Sequence, residues 1–211
     1  GWPVGLQLSF EVWAFQFATL LAGWLGEVEL AAHTVVLNAA SVSFMVPMGV
    51  SMAAVTRVGN LIGAGRPRAA QRAAWVALAT GAGVMAVSAI LFVTLRDLIP
   101  IPYTQDPAVR ALAASVFPIA AAFQLFDGTQ VVGGGVLRGM GRTRPVALFN
   151  LVGWYVLALP LAAWLTLGLG WGLHGIWWGL AVGLSTVALM LLAWIHRRGP
   201  ATVTAVVRPA V

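Results

Sequence analysis

Of the 211 residues, 60% are hydrophobic and 9% charged, and the net charge of +6 comes wholly from arginine because lysine is absent. A soluble domain carries roughly a quarter charged residues, so this composition excludes an ordinary water-soluble fold and puts the chain in lipid. The arginines fall in short patches between apolar runs, unlike the clustered basic face of a nucleic-acid binder, and the lack of cysteine excludes disulfides and thiolate metal sites.

The chain opens at Gly1 rather than Met, with no basic leader and no small-residue cleavage site, as expected for a piece of a longer reading frame. Six stretches then reach the roughly 20 apolar residues that a spanning helix needs. The first, residues 4–25, carries Gln7, Glu11, Trp13, Phe15 and Gln16. A link with Glu27 and Glu29 leads to the second, residues 30–55, which has Thr34, Asn38 and Ser41 along one helical face and Pro47 inside it. Arg57, Arg66, Arg68 and Arg72 precede the third stretch, residues 73–95, and Arg96, Asp97, Asp106 and Arg110 follow it. The fourth, residues 111–137, holds Pro118, Gln124, Asp127 and Gln130 and runs into Arg138, Arg142 and Arg144. The fifth, residues 145–167, holds Asn150, Trp154, Tyr155 and Pro160. The sixth, residues 173–195, bears Gly175, Gly179 and Gly183, a stripe that lets another helix approach closely, and ends before Arg197, Arg198 and Arg208.

Several stretches exceed the minimum length, which implies tilt or extension beyond the bilayer. Each internal proline removes a backbone hydrogen bond and predicts a kink. Barrel strands would alternate polar and apolar residues over about ten positions, a pattern these runs lack. The expected fold is an all-α membrane protein of six transmembrane helices.

Charge sets the orientation. Ten arginines and no acids fall on one side, against two arginines and four acids on the other. The positive-inside rule puts the arginine-rich side and both chain ends in the cytoplasm, as an even number of spans requires. Trp24, Trp75, Trp164, Trp171 and Trp194 stand near the predicted helix ends, where an interface favours an amphipathic ring.

Four of the six acids lie in links; Glu11 and Asp127 lie well inside spans. An ionised carboxylate at the bilayer centre costs about 2.5–3.5 kcal/mol on insertion scales. No basic residue stands at helical contact spacing from either, so burial favours the neutral acid, a group poised to exchange a proton for a cation. Gln7 precedes Glu11 by four residues, and Gln124 and Gln130 flank Asp127 by three. Polar stripes of this kind either line a water-filled cavity or tie helices together; beside two buried acids, the cavity is the better account. Trp13, Phe15, Trp154 and Tyr155 offer ring faces to an organic cation, with ordinary packing as the plainer reading of each alone. His33, His174 and His196 have no zinc spacing, and neither a P-loop nor a nucleophile–base pair is present. No catalytic residue, resident metal or cofactor is expected, and the chain is read as a non-enzyme.

The segments FEVWAF at 10–15, AAHTVVLN at 31–38, MVPMGVSMAAVTRVGNLIGAG at 45–65, FDGTQVVGGGVLRGMG at 126–141 and NLVGWYVLALPL at 150–161 together resemble the multidrug and toxic compound extrusion (MATE) family. The resemblance implies that residues 1–199 are the C-terminal six-helix lobe, helices seven to twelve of a twelve-helix transporter, with residues 200–211 a cytoplasmic tail. It implies an N-terminal six-helix lobe of the same parent chain as partner, small organic cations as substrate, and a multi-pass place in the bacterial inner membrane. In that family acids on the seventh and tenth helices take part in cation coupling and substrate binding, and Glu11 and Asp127 match them. Animal members carry glutamates at the positions of Gln16 and Asn38, so coupling by proton or sodium is expected to fall on Glu11 and Asp127 alone. Gln7, Phe15, Gln16, Asn38, Gln124, Gln130, Asn150 and Tyr155 are the candidate cavity-lining residues. The expected activity is cation-coupled export of organic cations. A related flippase for lipid-linked saccharides is the alternative, and it would need cationic groups facing the cavity, whereas the arginines stand at the cytoplasmic rim.

Overall fold

The computed structural model describes residues 2–203, with side chains from residue 5 onward. Among these residues six helices are long and apolar enough to cross a membrane. They are α1 (Trp2–Leu25), α2 (Glu27–Gly63), α3 (Pro67–Thr94), α4 (Pro107–Gly139), α5 (Thr143–Gly168) and α6 (Gly172–Arg198). The chain is an all-α, multi-pass membrane protein.

The helices overrun the apolar stretches that announce them. α2 has 37 residues, about 55 Å at 1.5 Å per residue, against a hydrocarbon layer of about 30 Å. Hydropathy falls at Arg57, but the backbone ladder continues until a residue leaves helical geometry. That residue is Gly65, with φ of 70°. Its N–H bonds to Ile62 O and the next, Arg66 N–H, to Leu61 O, the paired bonds of a Schellman ending, which satisfy carbonyls that would otherwise be orphaned. The end of α4 repeats the arrangement: Gly141 N–H bonds to Arg138 O and Arg142 N–H to Leu137 O. At the opposite face Asp106 caps α4 by accepting from Ala108 N–H at 2.8 Å, with Pro107 in the first turn.

α4 is the central helix, packed against α2, α3 and α6. Such contact needs small residues where backbones meet. The Gly175–Gly179–Gly183 stripe of α6 lies against Thr166, Ala162 and Ala158 of α5, where any added Cβ would overlap the neighbour. The close packing expected of the stripe is therefore present, and its partner is α5.

Prolines act unequally. The α-helix continues through Pro47 and Pro118, each of which leaves one rung of the ladder without its N–H donor. Around Pro160 it changes: α5 is π-helical over Val152–Ala158 and Trp164–Gly168, with an α-turn between. A π ladder pairs each carbonyl with the N–H five residues on, and the two π runs stand on either side of the α-turn that holds Pro160. The expected disturbance thus takes the form of π-turns in α5.

Trp24, Trp164 and Trp171 are exposed near helix ends, as an interfacial position requires. His33 is fully buried, within 3.2 Å of Thr19 Oγ1 and packed on Trp177, so it is a packing residue of the core. Residues 200–203 pack back: Pro200 is buried and Ala201 N–H donates to Gln71 Oε1 at 3.1 Å. The expected tail boundary at 199/200 therefore falls inside a packed turn, while 204–211, with Arg208, lie outside the described residues.

Candidate functional site

α1, α2 and α4 line a half-open cavity of about 330 Å³, with Trp177 of α6 on one side. Each wall is a helical face. From α1 come Gln7, Glu11 and Phe15, spaced by four, with Gln16 beside them; from α2 come Leu37, Ser41, Phe44 and Met48. α4 supplies Phe123, Asp127, Gln130, Val131 and Arg138. Glu11 and Asp127, distant in sequence and chosen for the cost of burying them, thus open onto the same space. Asp127 is 6% exposed, and the Gln130 side chain lies beside the Glu11 carboxyl.

Four of the eight candidate lining residues, Gln7, Phe15, Gln16 and Gln130, are on the cavity wall. The other four are not. Asn38 is exposed and its amide folds back to donate to Thr34 O at 2.9 Å. Gln124 is fully buried and accepts from Ser43 Oγ at 2.8 Å, tying α4 to α2. Gln124 and Gln130 lie on opposite flanks of Asp127, since each step of three residues turns the helix by about −60°, and only Gln130 faces inward. Asn150 is fully buried behind Gln130, from which it accepts at 3.2 Å. The Tyr155 hydroxyl donates to Phe10 O at 3.3 Å and its ring meets Phe10 edge-on, fastening α5 to α1.

Among the candidate aromatics, Trp154 is a packing residue: it is fully buried, donates to Asn150 Oδ1 at 3.1 Å and lies 5.3 Å from Phe15. Trp13 is exposed and outside the cavity. The rings that do line it are Phe15, Phe44, Phe123 and Trp177. Phe123 precedes Asp127 by four residues, so helical spacing alone puts it on the same face.

Arg138 overturns the expectation that the arginines keep to the rim. Its guanidinium lines the same cavity and donates to Ser51 Oγ at 3.1 Å. The signal was in the spacing: eleven residues from Asp127 is three turns plus about 20°, the same helix face. Among the described residues the one ion pair within 4 Å is Arg96–Asp97, at the surface; Arg138 makes no such contact pair, and the nearest opposite charge acting on it is Glu11, across the cavity. No grouping of three or more His, Cys, Asp or Glu exists among the described residues to hold a metal by itself. Two carboxyls, three amides, four rings and one guanidinium suit an organic ion better.

Comparison with known proteins bears on this arrangement. A family model described as MatE matches residues 3–164. The multidrug resistance protein NorM of Burkholderia vietnamiensis is 44% identical over 199 residues, which is 92% of this chain and 43% of the relative. A crystal structure of the eukaryotic MATE transporter AtDTX14 superposes with a TM-score of 0.89 at 27% identity, over 94% of this chain and 45% of that one. An outward-facing MATE transporter of the MOP superfamily superposes at 0.84 and 18% identity, over 96% of this chain and 45% of that one. The chain spans less than half the length of the curated relatives it matches.

Proposed function

The chain belongs to the MatE family, and from that premise we propose that it forms the C-terminal lobe of a cation-coupled antiporter that exports organic cations. The observation that carries this reading is the meeting of Glu11 and Asp127 on one cavity lined with aromatic rings. An ionised carboxylate attracts an organic cation, and the rings add attraction to its charged face. The same carboxyl, once protonated or occupied by sodium, loses that attraction. Ion and drug then compete for overlapping sites, and the competition couples their opposite movements. The N-terminal lobe completes the cavity, and the two lobes rock about their interface to expose it alternately to each side. The parent protein sits in a bacterial inner membrane, with the arginine-rich face and both ends of this segment in the cytoplasm. The coupling ion, a proton or sodium, acts as co-substrate, and the chain's residues carry out no bond-breaking chemistry.

Arg138 is the one feature that favours the flippase reading, because a pyrophosphate needs cationic ligands. Two carboxyls share its cavity, however, and they would repel such an anion.

The test uses the complete parent chain, expressed in bacteria lacking their own pumps. Energy-dependent ethidium efflux is followed beside Glu11→Gln and Asp127→Asn at equal membrane abundance. Collapse of efflux in both variants is expected. Full efflux in both would remove these carboxyls from the mechanism.

A further inference from the structure

We propose that α5 and the last turns of α6 form a binding site for an anionic phospholipid of the inner leaflet, Arg197 and Arg198 holding its phosphate and Phe149, Met190, Ala193 and Trp194 its glycerol and upper acyl chain. The site lies apart from the transport cavity. It takes from the transport reading only the orientation that puts this end of α6 in the cytoplasm.

These six residues line an open hollow of about 330 Å³, and none of them borders the cavity that holds Glu11 and Asp127. Helical spacing explains its make-up. Met190, Ala193, Trp194, Arg197 and Arg198 recur at i, i+3, i+4, i+7 and i+8, a single face of α6. The adjoining face does the packing: Leu191 and Ile195 are fully buried beside Gly133 of α4. His196 turns toward α3, its ring 6.5 Å from that of Trp75. The helix end is fixed on that side too, since Pro200 is buried and Ala201 N–H donates to Gln71 of α3 at 3.1 Å. What α6 presents beside Phe149 of α5 is therefore a stripe, half-buried at Met190 and Trp194, that finishes in two exposed guanidinium groups.

Cations at a helix C-terminus complement its dipole, and alone they would do no more than that. Two observations point to a lipid. No acid follows Asp127 in the chain, so neither α5 nor α6 has a carboxylate for these arginines, and the one ion pair among the described residues is Arg96–Asp97. The hollow is thus cationic and takes an anion. Its remaining wall is apolar, with two rings, a thioether and a methyl group, and Met190 lies about 10 Å before Arg197 along the axis by the helical rise. A free phosphate would use the arginines and leave that wall wet. A phospholipid uses both, its phosphate on the forked N–H donors and its chain along the stripe toward the hydrocarbon. A zwitterionic headgroup would bring an ammonium to the same two guanidinium groups, so the charge pattern selects a headgroup with net negative charge.

The experiment titrates the complete parent chain, purified in detergent, with dioleoyl phosphatidylglycerol or dioleoyl phosphatidylcholine and reads bound lipid by native mass spectrometry. The Kd of the first phosphatidylglycerol is expected to be about tenfold below that of the first phosphatidylcholine. Arg197→Gln together with Arg198→Gln should erase this preference. Arg142→Gln together with Arg144→Gln removes the same charge from exposed positions of the same face outside the hollow, and should keep the preference within about twofold. A large excess of inorganic phosphate should leave the lipid bound. A phosphatidylglycerol with a diazirine high on one chain should label Phe149 or the stretch 190–194 of the unaltered protein, which locates the site even where the Arg197 and Arg198 variant fails to reach the membrane. Equal Kd values for the two lipids, equal losses in the two double variants, displacement by phosphate, or labelling confined to other helices would each overturn the proposal. Every readout is binding rather than efflux, so such a result leaves cation export standing, and a failure of efflux leaves this site standing.

Discussion

Gln130 donates its amide N–H to Asn150 Oδ1 across 3.2 Å in the buried space between α4 and α5. Asn150 cannot be turned the other way. Its Nδ2 donates to Val146 O at 2.9 Å, and its Oδ1 also accepts from Trp154 Nε1 at 3.1 Å. The polarity of Asn150 therefore dictates that of Gln130, a residue of the cavity wall.

Asn150→Leu should strand two buried donors at once, on Gln130 and Trp154. A buried polar group without a partner costs about 1–3 kcal/mol. The parent protein in detergent should then lose several degrees of Tm, and an unchanged Tm would show that this junction contributes nothing to packing.

Glycine substitutions should divide sharply by site. A Cβ at Gly179 would strike the backbone of Ala162, so Gly179→Val should drive α5 and α6 apart and leave little protein in the membrane. Gly49, inside α2, has nothing within 4 Å of where its Cβ would be. Gly49→Ala should be neutral or should stabilise by up to about 1 kcal/mol through helix propensity. Membrane abundance of the two variants measures the contrast.

Asp127→Asn should separate function from stability. The amide keeps the shape of the side chain and removes the cost of an ionisable group in apolar surroundings. Tm of the parent protein at neutral pH should hold or rise by a few degrees while efflux is lost. A large fall in Tm would mean that the carboxyl is a structural ligand instead.

Much of this architecture was legible in the residues. Six apolar runs stand out because every backbone polar group in lipid must be satisfied within a helix. Glu11 and Asp127 stand out because charge is costly there. Two kinds of feature were harder to read. Helix ends escaped hydropathy, since Leu61 and Gly63 stay helical beyond Arg57 and only the Gly65 turn ends the ladder. Side chains such as Asn150, Gln124 and Tyr155 pass for cavity residues in the sequence because polar groups in a span can serve either a cavity or a helix contact. The choice depends on which neighbour faces them, and Ser43, Val146 and Phe10 became neighbours only through the tertiary fold. Arg138 was the opposite case: its eleven-residue spacing from Asp127 was legible, but its place in an arginine cluster suggested the rim.

The central claim is competition at Glu11 and Asp127 between the coupling ion and an organic cation. It is tested most directly by equilibrium binding of a fluorescent organic cation to the purified parent protein, titrated against sodium and against pH. A protonated or sodium-occupied carboxyl no longer attracts the dye, so the apparent Kd should rise with sodium or as pH falls. Capacity should stay constant, and the dependence should vanish in Asp127→Asn and Glu11→Gln. Binding that is indifferent to both ions, or a loss of capacity at constant Kd, would contradict the account.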